Sequence, residues 1–184
     1  MTAKELPDKY LQLLYHAMEN VKSSYKQIQC AGSPGTKYRE RVYCYELYHQ
    51  MRILQDKDEQ NYPLAINGEI DKNGHNIISN AFNPDFIIHE QGTMNNLCVI
   101  EVKVSNKKTG IQKDLHTLIC MLHCYQYQYG VLIFAGVEYG KVAHAIKSSI
   151  TDLPHLSEHS DQIYIFINAT GAEISIVKLS DWIN

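Results

Sequence analysis

The chain has 184 residues and a formal net charge of −3, with 45% hydrophobic and 20% charged residues. This length predicts a single domain whose core needs no disulfide or metal support, and the composition is typical of a globular protein. The negative charge argues against a cationic coat for nucleic acid, and no apolar run approaches the roughly 20 residues of a membrane span. Acidic side chains within the first apolar stretch argue against a signal peptide.

The five cysteines indicate a reducing compartment. They are odd in number, and four lie in helix-like or strand-like segments, where thiols act as small hydrophobic side chains. We therefore expect a cytoplasmic protein with no membrane partner.

The N-terminal third is predicted to be helical. Residues 5–29 carry apolar side chains at helical spacing, and glycine and proline interrupt this pattern over residues 30–37. A second helix is predicted over residues 38–54, and residues 55–63 form a charged loop.

The remainder alternates between strands and helices. Strand patterns occur at residues 64–72, 76–81, 85–91, 97–104, 162–168 and 172–179. Helices are predicted over 110–127 and 137–150, and the wholly apolar strand at 130–136 is typical of burial on both sheet faces. This order predicts one α/β domain, residues 1–184, with helices on the faces of a central mixed sheet.

The central hairpin carries the most informative charges. A loop at residues 92–96 predicts that Asp85 lies opposite Lys103 and Ile87 opposite Glu101. Alternation then places Asp85, Glu101 and Lys103 on one face of the hairpin, with a wholly apolar face behind them.

Two chemical interpretations of this face are open. Two carboxylates can converge on one Mg²⁺, which promotes phosphodiester hydrolysis, and a lysine beside them can offset charge in the transition state. Alternatively, Asp85 and Lys103 form a cross-strand ion pair on a solvated face. Ile87 and Val99 lie among the charges, which indicates that the face is covered and favours the metal site.

The hairpin motif resembles that of a known nuclease superfamily. Pro84-Asp85, followed by Glu101-Val102-Lys103 at the end of an apolar strand, is similar to the PD-(D/E)xK motif. The resemblance implies that Asp85 and Glu101 are metal ligands, that the Val102 carbonyl joins them, and that Lys103 is the catalytic lysine.

The same resemblance implies a fold. Members have a restriction-endonuclease-like core of α-β-β-β-α-β order, which residues 38–136 match in their predicted elements. Residues 1–37 would then be an N-terminal helical extension, and residues 137–184 a C-terminal helix with strands.

Relatives commonly add a glutamate from the first core helix, and two residues compete for this role. Glu46 is our choice, because Gln50 follows one turn later and tyrosines flank it. Glu40 is the alternative, although its place between Arg39 and Arg41 near the helix start also suits the helix dipole.

The first acidic ligand also has an alternative. The segment Gly68-Glu69-Ile70-Asp71 resembles the Gly-x-x-Asp pattern of some relatives, so Asp71 competes with Asp85. Asp85 is preferred because its strand pairs naturally with that of Glu101, and Glu69 is retained as an additional metal ligand.

Lysines after the motif are the predicted nucleic-acid contacts. They are Lys107, Lys108 and Lys113. Lys113 lies in the first turns of the following helix, where it can reach a phosphate, but a solvated helix end is the favoured interpretation of Lys113-Asp114.

The same helix carries a second candidate metal cluster, formed by His116, Cys120, His123 and Cys124. Structural zinc sites usually draw ligands from two separate elements, and leucines interleave with these four residues. Packing in the core is therefore the favoured interpretation.

These patterns predict a metal-dependent nuclease that hydrolyses phosphodiester bonds, of DNA rather than RNA, with Mg²⁺ or Mn²⁺ as cofactor. The alternative is a catalytically inactive module of the same fold that binds nucleic acid or a protein partner. A third hypothesis is an assembly subunit whose hairpin face is only ion-paired. The sequence leaves open whether the protein forms a homodimer.

Overall fold

The computed structural model describes residues 1–29, 31–32, 35–68 and 82–183. The strand predicted at residues 76–81 and part of the one predicted at 64–72 lie outside these ranges.

The N-terminal region is less continuous than its sequence predicts. Helix α1 spans Lys9–Asn20, and the Asp8 side chain caps it by accepting a hydrogen bond from the Tyr10 amide at 2.7 Å. The predicted helix 5–29 is wrong beyond this point, because Val21 is extended and its buried side chain ends the apolar stripe.

Short elements then lead to the second long helix. They are α2 (Ser23–Lys26), β1 (Ile28–Gln29) and β2 (Thr36–Lys37), and the two strands pair antiparallel. Helix α3 spans Glu40–Asp56, close to the predicted 38–54.

Within the described ranges, six strands form one mixed sheet, in which they neighbour each other in chain order. They are β3 (Ala65–Gly68), β4 (Phe86–His89), β5 (Asn96–Lys103), β6 (Tyr129–Ala135), β7 (Ile163–Asn168) and β8 (Ser175–Lys178). Strands β5, β6 and β7 run parallel to each other, and the remaining neighbours are antiparallel.

Helices connect the parallel strands. Helix α4 (Lys108–Tyr125) joins β5 to β6, and α5 (Tyr139–Ser149) with the short α6 (Leu156–His159) joins β6 to β7. The chain continues past β8 into a final turn of helix, α7 (Ser180–Ile183), which the sequence patterns did not predict.

The sheet separates two apolar cores, and this confirms an α/β fold with a mixed sheet flanked by helices. On one face, Ile88, Ile100 and Val102 pack against α1 and α3. On the other, Ile87 and Val99 pack against α4 and α5. Every residue from 130 to 135 is buried, as predicted for a strand covered on both sides.

The register of the central hairpin differs from the predicted one by two residues. Phe86 pairs with Ile100 and Ile87 with Val99. The loop closes more tightly than predicted, because the Glu90 amide donates to the Asn95 carbonyl at 2.9 Å and the pairing shifts at His89. A shift of two residues leaves every side chain on its predicted face.

None of the described helices is long and apolar enough to cross a membrane.

Candidate metal and active site

Asp85 and Glu101 meet where the hairpin opens. Asp85 directly precedes β4, Glu101 lies near the end of β5, and continuing the register by one residue sets them side by side. Asp85 also accepts a hydrogen bond from the Val102 amide, with 2.7 Å between Oδ2 and N. This bond fixes the Asp85 carboxylate against the end of β5.

Glu101 is the most perturbed carboxyl group of this site. Only 6% of the residue is exposed. Burial, and then the charges of Asp114 and Asp85, raise the pKa of Glu101 to about 9. Neutral pH therefore favours the protonated form of Glu101, because the site is buried and contains more carboxylates than lysines.

Asp85 shares this environment and is hydrogen-bonded to Glu101. Burial raises the pKa of Asp85, while the Val102 amide, Lys103 and the hydrogen bond from Glu101 act in the opposite direction. Burial thus raises the pKa of both carboxyl groups, and ionising both in the same buried place is costly.

Lys103 is held by two carboxylates from different helices. Its Nζ lies 2.8 Å from Oδ2 of Asp114, on α4, and 3.5 Å from Oε1 of Glu40, on α3. The ammonium also donates to the Val102 carbonyl at 3.1 Å. Burial alone lowers the pKa of Lys103, but Asp114 and Glu40 outweigh it, and the pKa lies above its ordinary value.

Asp114 is a member of the candidate site that the sequence patterns did not single out. The interpretation of Lys113-Asp114 as a solvated helix end is wrong for Asp114, which is 3% exposed. Burial raises the pKa of Asp114 to about 6, while Lys103 opposes the shift, so the side chain is ionised at neutral pH. Its helical spacing places Asp114 on the same face as the buried residues Ile111, Leu115 and Leu118, and this pattern could have predicted that Asp114 is buried.

These groups line one pocket of about 530 Å³, which we call the carboxylate pocket. Its charged side chains among the described residues are Glu40, Asp85, Glu101, Lys103, Lys113 and Asp114. Four carboxylates face two lysines, so full ionisation leaves two negative charges, which one divalent cation would neutralise.

The glutamate that α3 supplies to this pocket is Glu40. Glu46 is buried and accepts a hydrogen bond from Gln50 at 2.8 Å, but it does not line the carboxylate pocket. Six residues separate the two glutamates, so they project about 120° apart around a helix of 3.6 residues per turn. The Arg-flanked start of α3 lines this pocket, whereas Tyr45 and Tyr48 in its middle line a neighbouring pocket that also includes Asp85.

The remaining predicted contacts are more dispersed. Lys113 is exposed and lines the carboxylate pocket, whereas Lys107 and Lys108 are exposed at the start of α4 and do not line it. Glu69 and its competitor Asp71 lie outside the described residues.

The four residues of the candidate cluster on α4 do not all pack in the core. His116 borders the carboxylate pocket, and its Nε2 lies 3.6 Å from the Cys120 sulfur. His123 and Cys124 are exposed, so the interpretation as core packing is wrong for both.

The donors of the carboxylate pocket fit a hard divalent cation. Oxygen ligands suit Mg²⁺ and Mn²⁺, and the buried, protonated Glu101 beside Asp85 is a pair that such a cation would deprotonate on binding. In comparisons with known proteins, no family model, curated protein or solved structure matches the chain.

Proposed function

We propose that the protein is a divalent-metal-dependent nuclease that hydrolyses phosphodiester bonds, with DNA as the first substrate to test. The observation that carries the proposal is the convergence of Asp85, Glu101 and Lys103 in one pocket, at the end of a strand whose opposite face lies in the core. An ion pair on a flat, solvated sheet face would not bury Glu101 to this degree.

The element order supports a restriction-endonuclease-like core. Among the described residues, which omit 69–81, helix α3, strands β3, β4 and β5, helix α4 and strand β6 have the α-β-β-β-α-β order that the sequence resemblance implies. Asp85 directly precedes the second strand of this series, and Glu101 and Lys103 lie at the end of the third.

Each residue has a role that follows from its environment. Asp85 and Glu101 would hold Mg²⁺ or Mn²⁺, with Asp114 and Glu40 as nearby carboxylates. Such a cation, when bound, stabilises the negative charge that develops on the phosphate. The Val102 backbone positions two of these residues: its amide donates a hydrogen bond to Asp85, and its carbonyl accepts one from Lys103.

Lys103 is suited to act as a fixed cation. Its raised pKa keeps it protonated at neutral pH, so it donates hydrogen bonds to a phosphate oxygen or to the attacking water and does not serve as a general base. Asp114 and Glu40 position the ammonium from two sides and retain its proton.

A cleavage assay tests the proposal. Single-stranded and duplex forms of DNA and RNA are incubated with Mg²⁺, Mn²⁺ or EDTA, and wild type is compared with Glu101→Gln, Lys103→Ala and Lys141→Ala. Lys141 is a matched control, because it pairs with Glu138 at 2.9 Å on an exposed surface.

We expect metal-dependent cleavage by wild type and Lys141→Ala. Glu101→Gln and Lys103→Ala should each lower the rate by roughly 10²–10³-fold, the range for removing a group that stabilises transition-state charge. Cleavage that both site variants retain at the wild-type rate contradicts the proposal. Binding of nucleic acid without cleavage in either metal would instead favour an inactive module.

A further inference from the structure

A second group of potential metal ligands lies on the surface, where the C-terminal end of α4 meets α6. We call it the histidine cluster: His123, His155, Glu158 and His159. His123 is in the last turn of α4, His155 directly precedes α6, and Glu158 and His159 lie within α6. His123 lies seven residues beyond His116, about 10 Å along the helix, so the cluster is separate from the carboxylate pocket.

The distances within the cluster suit one small cation. Ligand atoms of His123, His155 and Glu158 all lie within 4.8 Å of one another. His155 Nδ1 is 3.0 Å and His123 Nδ1 is 3.8 Å from the two Glu158 carboxylate oxygens. Tetrahedral coordination with zinc–nitrogen bonds near 2.0–2.1 Å separates neighbouring ligand atoms by about 3.4 Å, which falls between these values.

The two imidazoles already face each other. The rings of His123 and His155 stack with 3.8 Å between centroids and 19° between planes. Both rings lie beside the same carboxylate, that of Glu158.

His159 contacts the cluster through His123. Its Nδ1 contacts Oε1 of Gln162 at 2.7 Å, and the Gln162 amide nitrogen donates to the Gln128 carbonyl. That second bond identifies the Gln162 atom facing His159 as the oxygen, which only accepts. His159 therefore donates from Nδ1 to Gln162, and its Nε2 lies 3.3 Å from His123 Nδ1.

The hydrogen bonds from His159 to Gln162 and from Gln162 to Gln128 are of the kind that orients metal-binding histidines. A ligating imidazole usually donates its other N–H to an amide, carbonyl or carboxylate, which fixes the tautomer and the ring direction. The ligands also come from two separate elements, α4 and the α6 segment, as structural zinc sites require.

We propose that the histidine cluster is a transition-metal site with His123, His155 and Glu158 as ligands and with His159 beside His123. Imidazole-rich sites bind Zn²⁺, Co²⁺, Ni²⁺ and Cu²⁺ in preference to Mg²⁺. The metal ties the α6 segment to the end of α4. This site is independent of the proposed nuclease activity.

Titration calorimetry of the untagged full chain with Zn²⁺, in the presence of excess Mg²⁺, tests the proposal. Wild type should bind one Zn²⁺ per chain, and His123→Ala, His155→Ala and Glu158→Gln should each weaken binding tenfold or more. All three side chains are exposed, so circular dichroism is expected to report intact folding. His16→Ala is the matched control, because His16 pairs with Glu19 at 2.9 Å in an exposed i, i+3 pair like that of His155 and Glu158.

Two further variants locate the ion. Glu101→Gln and Cys124→Ser should leave Zn²⁺ binding unchanged, and a Co²⁺ complex should show tetrahedral d–d bands without a thiolate charge-transfer band. Hydrogen exchange over residues 155–159 should slow with Zn²⁺ in wild type but not in His123→Ala. Absence of one-to-one binding, equal binding by the histidine variants, or loss of binding in Glu101→Gln or Cys124→Ser would overturn the proposal.

Discussion

The carboxylate pocket and the histidine cluster are both groups of titratable side chains gathered from two or more elements, but they differ in solvent access. Glu101 and Asp114 are 6% and 3% exposed, whereas the side chains of His155 and Glu158 are 43% and 56% exposed. Burial makes the charge state of the pocket a large free-energy term, with strong shifts in pKa. At the surface, water screens the same kinds of interaction, and stability depends on them weakly.

The largest expected effect on stability comes from replacing the buried lysine of the carboxylate pocket. Lys103→Met leaves Asp114 buried without its cation, so we expect the free energy of unfolding at pH 7.5 to fall by about 3 kcal/mol. Denaturant unfolding measures this loss. Lys141→Met removes an exposed ion pair and should cost less than about 0.5 kcal/mol. Equal losses in the two variants would contradict the distinction between buried and exposed charges.

The pH dependence of stability sharpens the same comparison. The pKa of Glu101 is about 9 in the folded protein, above its unfolded value, so its contribution is full at low pH and is lost as pH rises through 9. In EDTA, wild type should therefore lose on the order of 1–3 kcal/mol relative to Glu101→Gln between pH 6 and pH 8. Parallel stability curves for the two proteins, from urea unfolding at each pH, would show that Glu101 ionises normally.

Magnesium binding should depend on pH for the same reason. A cation that binds Glu101 must displace its proton, so the apparent Mg²⁺ affinity should rise by up to tenfold per pH unit from pH 7 towards pH 9. Calorimetry in buffers of different ionisation enthalpy measures the released proton directly. Glu101→Gln, which carries no such proton, provides the control, and proton release that is equal in both proteins would place the linkage elsewhere.

The smallest effect is expected at the surface. Without transition metal, His123→Ala should change the free energy of unfolding by less than about 0.5 kcal/mol, since only exposed contacts are lost. Thermal unfolding in EDTA measures this, with His16→Ala alongside. A loss comparable to that of Lys103→Met would mean that the cluster is part of the folded core.

The sequence predicted the side of the sheet on which each hairpin residue lies, but not its partner. Alternation along a strand has a period of two, so Ile87, Glu101 and Lys103 share a face in any register shifted by an even number of residues. The register itself depends on the loop, where the Glu90–Asn95 hydrogen bond and the shift at His89 replace the longer predicted loop. Hydrophobic patterning carries no information on such a local closure.

The sequence predicted where the helices lie along the chain, but only in part which of their faces points towards the site. Glu40 and Glu46 both lie on α3, and the choice between them depends on which side of the helix faces the end of β5. Asp114 occupies a buried position by its helical spacing, but a buried aspartate is uncommon without a partner. Its partner, Lys103, lies on a different element, so the spacing alone did not reveal the pair.

The histidine cluster was beyond sequence reasoning for another reason. His123 was singled out with its neighbours on α4, yet its contacts are with His155 and His159, more than 30 residues later. Only the docking of α6 on α4 brings these rings together.

The hydrogen bond from the Val102 amide to Asp85 has a consequence for the assembly of the hairpin. A slip of two residues keeps every side chain on its own face of the hairpin, so hydrophobic burial alone discriminates poorly between such alignments. Asp85 meets the Val102 amide only when the strands are aligned as observed. The side chain proposed to hold the cation thus also selects the strand alignment, and an Asp85→Ala protein would populate slipped hairpins before it lost its fold.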